Sequence, residues 1–126
     1  MKLFVIDASP LGQKGMVDLL SDINGIEIAG STNDMNTIHD MLRENDTDVI
    51  IMDIEMPERN GIDILTWIKA RYPSVIIIIC SNLSYPQYRM RCREVGAEFF
   101  FDKSTEFQMV PETVRRLHHN SIQRAI

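Results

Sequence analysis

The sequence predicts a single α/β domain in which helices cover both faces of a five-stranded parallel sheet, a doubly wound arrangement. Two observations support this fold class. Short apolar runs alternate five times with amphipathic stretches of helical length along the 126 residues, and this repetition is typical of parallel sheets. The apolar runs also lack the alternation of half-exposed strands, which indicates strands buried on both faces. Right-handed crossovers would then place helices on both sides of the sheet.

The predicted strands are the short apolar runs. In chain order they cover residues 2–6, 26–29, 49–52, 75–79 and 99–101. A turn at Asn24–Gly25 comes before the second strand. The fourth strand is the most hydrophobic of the five.

The predicted helices have recognisable starts. They cover residues 10–22, 34–44, 62–71, 86–95 and about 106–121. Pro10 suits a first helical turn, because its missing N–H would have no partner there, and Ser9 is placed to cap that helix. Asn33 or Asp34 caps the second helix. The side chains expected to face inward are Leu11, Met16, Leu19 and Leu20 on the first helix and Met35, Ile38, Met41 and Leu42 on the second.

The later helices have recognisable ends. The third stops before Pro73, since the residue preceding a proline is biased away from helix. The fourth ends at Gly96, a natural residue just past a helix C-terminus. Pro111 falls inside the last helix, so we expect a turn over residues 104–110 that tightens into helix near Pro111.

Composition limits the classes of protein. The chain is 44% apolar and 25% charged, so we expect one soluble globular domain over residues 1–126. Its longest apolar run, VIIIIC, is too short for a membrane span, and MKLFVID has no signal-peptide core. Free thiols at Cys80 and Cys92 and a cytoplasmic location are the simpler reading, with a disulfide left open. The net charge of −5 disfavours binding to nucleic acid by this chain alone.

Polar residues follow the predicted strands. In doubly wound folds, ligands bind beyond the carboxyl ends of the strands. The residues expected there are Asp7, Gly30, Asp53, Ser81 and Asp102–Lys103. Acids, a hydroxyl and an ammonium should therefore meet at one edge of the sheet.

Three segments in this order resemble the receiver domains of two-component response regulators. They are VIIMDIEMPERNGIDIL at residues 49–65, FFFDKS at residues 99–104, and Ser81, which lies twenty-two residues before Lys103. The likeness runs from Met1 to about His118. It implies a flavodoxin-like sheet with the strand order 2-1-3-4-5.

The resemblance also implies roles for four residues. Asp53 would be the carboxylate that accepts a phosphoryl group, and Lys103 would contact that group. Ser81 would form a hydrogen bond to it afterwards, and Phe100 occupies the position of an aromatic rotamer switch. A carboxylate can attack a phosphoryl donor only if the repulsion between the anions is cancelled, which the Lys103 ammonium and a divalent metal would do.

The metal implied by the resemblance is Mg²⁺. Its ligands would be Asp7, Asp53 and the backbone carbonyl of Glu55. Asp7 matches the first of two adjacent metal-binding acids, but Ala8 stands where the second is expected, so we expect weak binding. The Glu55 side chain could partly replace the lost acid, repel the phosphoryl group or shield it from water.

The expected function is a phosphoacceptor switch rather than an enzyme, with at most self-catalysed phosphotransfer and autodephosphorylation. Its partners would be a histidine kinase or phosphotransfer protein and an unknown downstream protein. The output surface would be the fourth helix, fifth strand and fifth helix, through which a homodimer could also form. We favour a stand-alone receiver. Two alternatives stay open: an interaction module that works without phosphorylation because of Ala8, and the N-terminal receiver fragment of a DNA-binding regulator.

Other charged residues have simpler interpretations. Arg89, Arg93 and Arg115–Arg116 are expected on solvated helix faces, although basic residues on the output surface could meet an acidic partner. His118–His119 is interpreted as a solvated pair, because adjacent histidines face different directions on a helix.

Overall fold

The computed structural model describes residues 1–57 and 59–125, in which five strands alternate with five helices. The strands are β1 (Lys2–Ile6), β2 (Glu27–Thr32), β3 (Val49–Met52), β4 (Ile76–Ser81) and β5 (Phe99–Asp102). The helices are α1 (Pro10–Leu20), α2 (Met35–Glu44), α3 (Gly61–Arg71), α4 (Pro86–Val95) and α5 (Met109–Ala125). None of the helices in these ranges combines the length and hydropathy needed to cross a bilayer.

The strands are all parallel and lie side by side in the order β2-β1-β3-β4-β5. The predicted doubly wound sheet with the flavodoxin-like order is therefore confirmed. The central strand β3 is buried along its whole length. This explains why its sequence is uniformly apolar.

The core has two layers, one on each face of the sheet. Successive strand residues point to opposite faces, so each central strand contributes to both layers. One layer packs against α2, α3 and α4 and contains the strand residues Phe4, Ile6, Ile50, Met52, Ile77 and Ile79. The other layer packs against α1 and α5 and contains Leu3, Val5, Val49, Ile51, Ile78 and Cys80.

The two cysteines are buried in different layers and are unpaired. Cys80 lies in the layer beside α1 and α5, whereas Cys92 lies in the opposite layer. Burial raises the pKa of Cys80 to about 12 and that of Cys92 to about 11. The free-thiol interpretation is confirmed, and both thiols stay protonated at neutral pH.

Most helix ends follow the predicted signals. The Ser9 hydroxyl accepts a hydrogen bond from the Gly12 amide, and the Asp34 side chain caps α2 by accepting one from the Thr37 amide. Gly96 ends α4 with a left-handed φ of 119°, which a glycine adopts without strain. The last helix begins at Met109 and places its proline in the first turn, as predicted.

The predictions for the inward side of α1 and for the extent of β2 are wrong. Leu11 is 79% exposed, because it lies about 140° around the helix from the buried Met16. The second strand covers Glu27–Thr32 rather than residues 26–29, since a register shift between Leu3 and Phe4 lets β2 continue alongside β1. The tip of β2 is therefore Thr32, and Gly30 lies inside the strand.

His118 is not a solvated side chain. Its ring packs against Gly25, where an added Cβ would lie 2.1 Å from His118 Nε2. Gly25 also has a φ of 84°, so the turn before β2 requires a glycine for two reasons. Only His119 of the predicted pair is exposed.

Candidate functional site

Backbone hydrogen bonds just past the strand ends bring the predicted residues to one edge of the sheet. The Asp7 amide donates to the Thr32 carbonyl oxygen at 3.1 Å. The Asp53 amide donates to the carbonyl oxygen of Ile6 at 3.0 Å. The Lys103 amide donates to the carbonyl oxygen of Ser81, also at 3.0 Å. Each bond extends a parallel ladder by one residue, so the carboxyl tips stay aligned.

The Lys103 ammonium lies between two buried carboxylates. Its Nζ donates to Asp7 Oδ2 at 2.7 Å and to Asp53 Oδ2 at 2.9 Å. Asp7 is 6% exposed and Asp53 is 5% exposed. Buried charges are stable only when they are paired, so Lys103 is the countercharge of both acids.

The other oxygen of each carboxylate is held by a backbone amide. Asp7 Oδ1 accepts from the Ser9 amide at 2.9 Å, and Asp53 Oδ1 accepts from the Glu55 amide at 2.8 Å. The two carboxylates are thereby oriented with their Oδ2 atoms towards one position. One oxygen of each carboxylate is therefore fixed by the backbone of the loop that follows its strand, and the other is left to contact Lys103.

Gly12 is needed beside this site, and the sequence analysis did not single it out. A Cβ at this position would lie 2.7 Å from both carboxylate oxygens of Asp7. Any larger residue would displace the carboxylate. A glycine in the first turn of a helix that follows a strand-end acid is the only sequence signal for this contact.

Two opposing effects act on the pKa of Lys103. Burial of the side chain favours the neutral amine, but the hydrogen bonds and the attraction of Asp7 and Asp53 together outweigh burial. The pKa of Lys103 is therefore raised above its ordinary value. The ammonium stays charged throughout the physiological range.

Ser81 and Phe100 lie on the neighbouring strands β4 and β5. Ser81 is fully buried, and its hydroxyl oxygen accepts a hydrogen bond from the Leu83 amide at 3.1 Å. Phe100 is half-buried, pairs with Ile79 across the ladder and packs against the core layer that includes α4. Ser81 is therefore on the strand next to β3, the strand that Asp53 follows, and Phe100 is on the edge strand β5.

Comparison with known protein families shows which family the sequence matches. The sequence profile of the response regulator receiver domain matches residues 3–115. This chain belongs to the receiver domain family. The resemblance seen in the sequence motifs is therefore confirmed, as is the assignment to two-component signalling.

Several longer proteins contain a similar receiver domain. A protein-glutamate methylesterase/protein-glutamine glutaminase of Clostridium acetobutylicum is 33% identical over 105 residues, which cover 82% of this chain and 30% of that protein. The response regulator GacA of Pseudomonas aeruginosa is 21% identical over 117 residues, which cover 93% of this chain and 55% of GacA. The chain therefore spans from under a third to about half of the length of these two relatives.

Solved receiver domains have the same fold. The isolated receiver domain of RcsB from Salmonella enterica serovar Typhimurium, solved in the presence of the phosphomimetic BeF3⁻, has a TM-score of 0.86 and 23% identity. That match covers 94% of this chain and 88% of the RcsB domain. The response regulatory domain of protein mrkE from Klebsiella pneumoniae has a TM-score of 0.82 and 20% identity, with 98% of this chain and 99% of that domain covered.

Receiver domains generally bind Mg²⁺ at their acidic pocket, and the residues present here fit such an ion in part. Asp7 and Asp53 contact the same ammonium, so both could ligate one cation. Within residues 1–57 and 59–125, no three His, Cys, Asp or Glu side chains lie close enough to hold a metal. Glu55 is exposed, and its backbone amide donates a hydrogen bond to Asp53. Mg²⁺ often accepts one or two carboxylates plus phosphate oxygens and waters.

A cavity lies beside Ala8, where a second carboxylate was expected. Ala8 lines a cavity of about 380 Å³ together with Asn33 and Arg59. The Asn33 amide nitrogen donates to the Ala8 carbonyl oxygen at 3.0 Å. Asn33 was expected only as a helix cap, because the predicted second strand ended too early to place it at this edge.

Proposed function

We propose that this receiver domain is a phosphoacceptor switch that takes a phosphoryl group on Asp53 from a histidine kinase or phosphotransfer protein. The observation that carries the proposal is the Lys103 ammonium, which lies within hydrogen-bond distance of two buried carboxylates at adjacent strand tips. An anion attacks a phosphoryl donor readily only where fixed positive charge offsets the repulsion. This edge of the sheet supplies both groups.

The two carboxylate oxygens of Asp53 have different partners, and these suggest how the phosphoryl group would be transferred. Oδ1 accepts from the Glu55 amide, while Oδ2 faces the Lys103 ammonium. An Asp53 oxygen would form the new P–O bond as the P–N bond to the donor imidazole breaks, and the imidazole would leave with the electron pair. Lys103 would then contact the phosphoryl oxygens, and Ser81 would donate its hydroxyl to one of them. Water would then hydrolyse the phosphoryl group from Asp53 and regenerate the carboxylate. We propose no enzymatic activity beyond this self-catalysed transfer and hydrolysis.

The residues that would hold Mg²⁺ are Asp7, Asp53 and the backbone carbonyl of Glu55. When bound, the ion would neutralise the charge on the phosphoryl oxygens. Ala8 contributes no carboxylate, so we propose weaker binding than a two-acid pocket would give. Asp7 keeps its orientation through the Ser9 amide whether or not a metal is present.

The proposed output surface is formed by α4, β5 and α5, with Phe100 as the switch residue that reports on the site. A downstream protein or a second copy of the chain would bind there.

We propose that residues 1–126 form one receiver domain that acts in the cytoplasm and does not itself bind nucleic acid or membrane. The lengths of the relatives keep open the alternative that it is the receiver part of a longer regulator.

Phosphotransfer tests the proposal directly. The chain is incubated with Mg²⁺ and either acetyl phosphate or a labelled histidine-kinase donor. Covalent phosphate that is released by hydroxylamine or alkali, as expected of an acyl phosphate, is measured by mass spectrometry. We expect one phosphoryl group in wild type and none in Asp53→Asn. Asp46→Asn is the matched control, because Asp46 is an exposed acid in the loop before β3, at the opposite edge of the sheet. Transfer that survives Asp53→Asn would refute the site.

A second candidate function is a protein-interaction module that needs no phosphate. Ala8 favours it, because the metal pocket has lost one acid. Under this candidate wild type would take up no phosphate at millimolar Mg²⁺. Phosphorylation of wild type would exclude it, and phosphorylation of Ala8→Asp alone would show that the missing acid is its cause.

A further inference from the structure

Arg89 of α4 is not the solvated side chain that the sequence predicts. Its Nε donates to the Ser84 carbonyl oxygen at 3.0 Å. Its Nη1 donates to the Phe100 carbonyl oxygen at 3.3 Å, and its Nη2 donates to Glu106 Oε1 at 3.2 Å. The guanidinium carbon also lies 4.8 Å from the centre of the Phe100 ring. One side chain thus contacts the β4–α4 loop, the strand β5 and the β5–α5 loop.

Two acids complete the same network. Glu106 Oε1 also accepts from the Asp102 amide at 2.9 Å. Asp102 Oδ2 accepts from the Ser84 hydroxyl at 2.6 Å, and its Oδ1 accepts from the Ser104 hydroxyl, also at 2.6 Å. The Asp102 amide and then Arg89 lower the pKa of Glu106, and the hydroxyls of Ser104 and Ser84 lower the pKa of Asp102. Both acids are ionised at neutral pH, and the β4–α4 loop is tied to the β5–α5 loop.

The tied segments are those that carry the phosphoryl-binding groups. Lys103 lies in the β5–α5 loop, and its ammonium contacts Asp53. Ser81 is the last residue of β4, and its hydroxyl accepts from the Leu83 amide inside the β4–α4 loop. Ser81 and Lys103 therefore lie in or directly beside the segments that the Arg89 network joins.

We propose that Arg89 is a positioning residue. Through its guanidinium contacts it holds Phe100 and the β4–α4 loop in place, and so opposes the movements of Ser81 and Phe100 that would follow phosphorylation of Asp53. The inference rests on the proposed phosphoacceptor function. Rotation of the Phe100 ring towards the core would remove it from the guanidinium. Movement of Ser81 towards Asp53 would pull the loop that carries Ser84.

The energetic consequence follows from this geometry. A phosphoryl group that favours the moved arrangement must overcome the Arg89 contacts, because a ligand shifts an equilibrium only through its differential affinity for the two states. Removing Arg89 should therefore make the switch easier to operate. The effect has a sign opposite to that of general structural damage, which would weaken binding at the site.

The chain offers a matched control on the same helix. Arg93 lies one helical turn after Arg89, and both side chains border a cavity of about 80 Å³ between α4 and β5. Unlike Arg89, Arg93 is exposed. Arg93→Met removes the same charge from the same face. Arg89→Met keeps the aliphatic length of the side chain, and Arg89→Lys keeps its charge without the planar group that reaches several acceptors.

Hydrogen exchange of the free protein tests the positioning role without any phosphoryl group. We expect the amides of residues 82–89 to exchange about tenfold faster in Arg89→Met than in wild type, because local opening becomes easier. Arg89→Lys should lie between them, and Arg93→Met should match wild type. Equal exchange in Arg89→Met and Arg93→Met would overturn the inference.

Titration with beryllofluoride and Mg²⁺ tests the effect on switching. We expect Arg89→Met to bind it about five- to tenfold more tightly than wild type or Arg93→Met. In a Phe100→Leu background the gain should shrink, because the ring contact is already lost. Unchanged or weaker binding by Arg89→Met would overturn the inference while leaving Asp53 as the site. If wild type does not bind beryllofluoride, the proposed function fails, and the switching role of Arg89 fails with it.

Discussion

Replacement of Lys103 by methionine should destabilise the fold by leaving two buried anions without a countercharge. The Oδ2 atoms of Asp7 and Asp53 lie 2.7 and 2.9 Å from the same Nζ. They are therefore no more than about 5.6 Å apart, the sum of those two distances, and at an effective dielectric constant of about 20 they repel each other by about 3 kcal/mol. Removing one partner of a buried charge pair typically costs about 3–5 kcal/mol. We expect Lys103→Met to lower the free energy of unfolding by about 3 kcal/mol.

Urea denaturation at pH 7 measures this loss. Lys14→Met is the control, because the Lys14 ammonium is exposed and pairs with Asp18 at 2.8 Å on the surface of α1. It should cost little, because an exposed ion pair contributes little to stability. Adding Asp53→Asn to Lys103→Met should restore most of the stability, since one of the two repelling charges is gone. Millimolar Mg²⁺ should also stabilise Lys103→Met more than wild type.

Two results would refute this reasoning. Equal stability of Lys103→Met and Lys14→Met would mean that the lysine does not neutralise the pocket. A further loss on adding Asp53→Asn would mean that the two carboxylates do not repel each other. Either result would also remove the main observation behind the proposed phosphoryl transfer.

Three further predictions concern the metal pocket, the opposite end of the sheet and the response to acid. Ala8→Asp should bind Mg²⁺ about tenfold or more tightly than wild type by calorimetry, because it adds a carboxylate ligand; equal affinity would contradict the proposed weakness of the pocket. Glu98 accepts from the Lys69 ammonium at 2.5 Å and from the Ile77 amide at 2.6 Å, so Glu98→Ala should cost about 1.5–3 kcal/mol in urea denaturation. A loss within the experimental error would show that water replaces both bonds. The pKa of Glu106 is lowered from its ordinary value of 4.5, so its contribution to stability is present above that pH and disappears as the pH falls. Glu106→Gln should therefore lose less stability between about pH 5 and pH 3 than wild type, as measured by thermal unfolding.

The sequence predicted the elements well where signals were local. The cap at Ser9 and the end of α4 at Gly96 depend on neighbouring residues, and both are observed. The extent of β2 was mispredicted, because it depends on a register shift within β1 that local sequence does not encode. The inward position predicted for Leu11 was wrong for a related reason: the side that a helix buries is set by its packing partner.

The sequence predicted which charged residues meet at the candidate site, but not which neighbouring residues support them. The proximity of Asp7, Asp53 and Lys103 followed from their positions at the ends of parallel strands. Their roles in phosphotransfer stay predictions. Gly12 was missed because its close approach to the Asp7 carboxylate depends on how α1 packs against the strand end. Arg89 was misread because its hydrogen bonds join three separate segments of the chain.

The sequence by itself determined the order of elements, the parallel sheet and the edge at which the acids and the lysine meet. It could do so because hydrophobic patterning is local and parallel ladders align every carboxyl end. Only the tertiary structure decided which side chains pair. Lys103 contacts an acid 96 positions away, and Arg89 contacts Glu106 across 17 positions. Such contacts depend on how packed helices and loops place their side chains, and no periodicity in the chain specifies that placement.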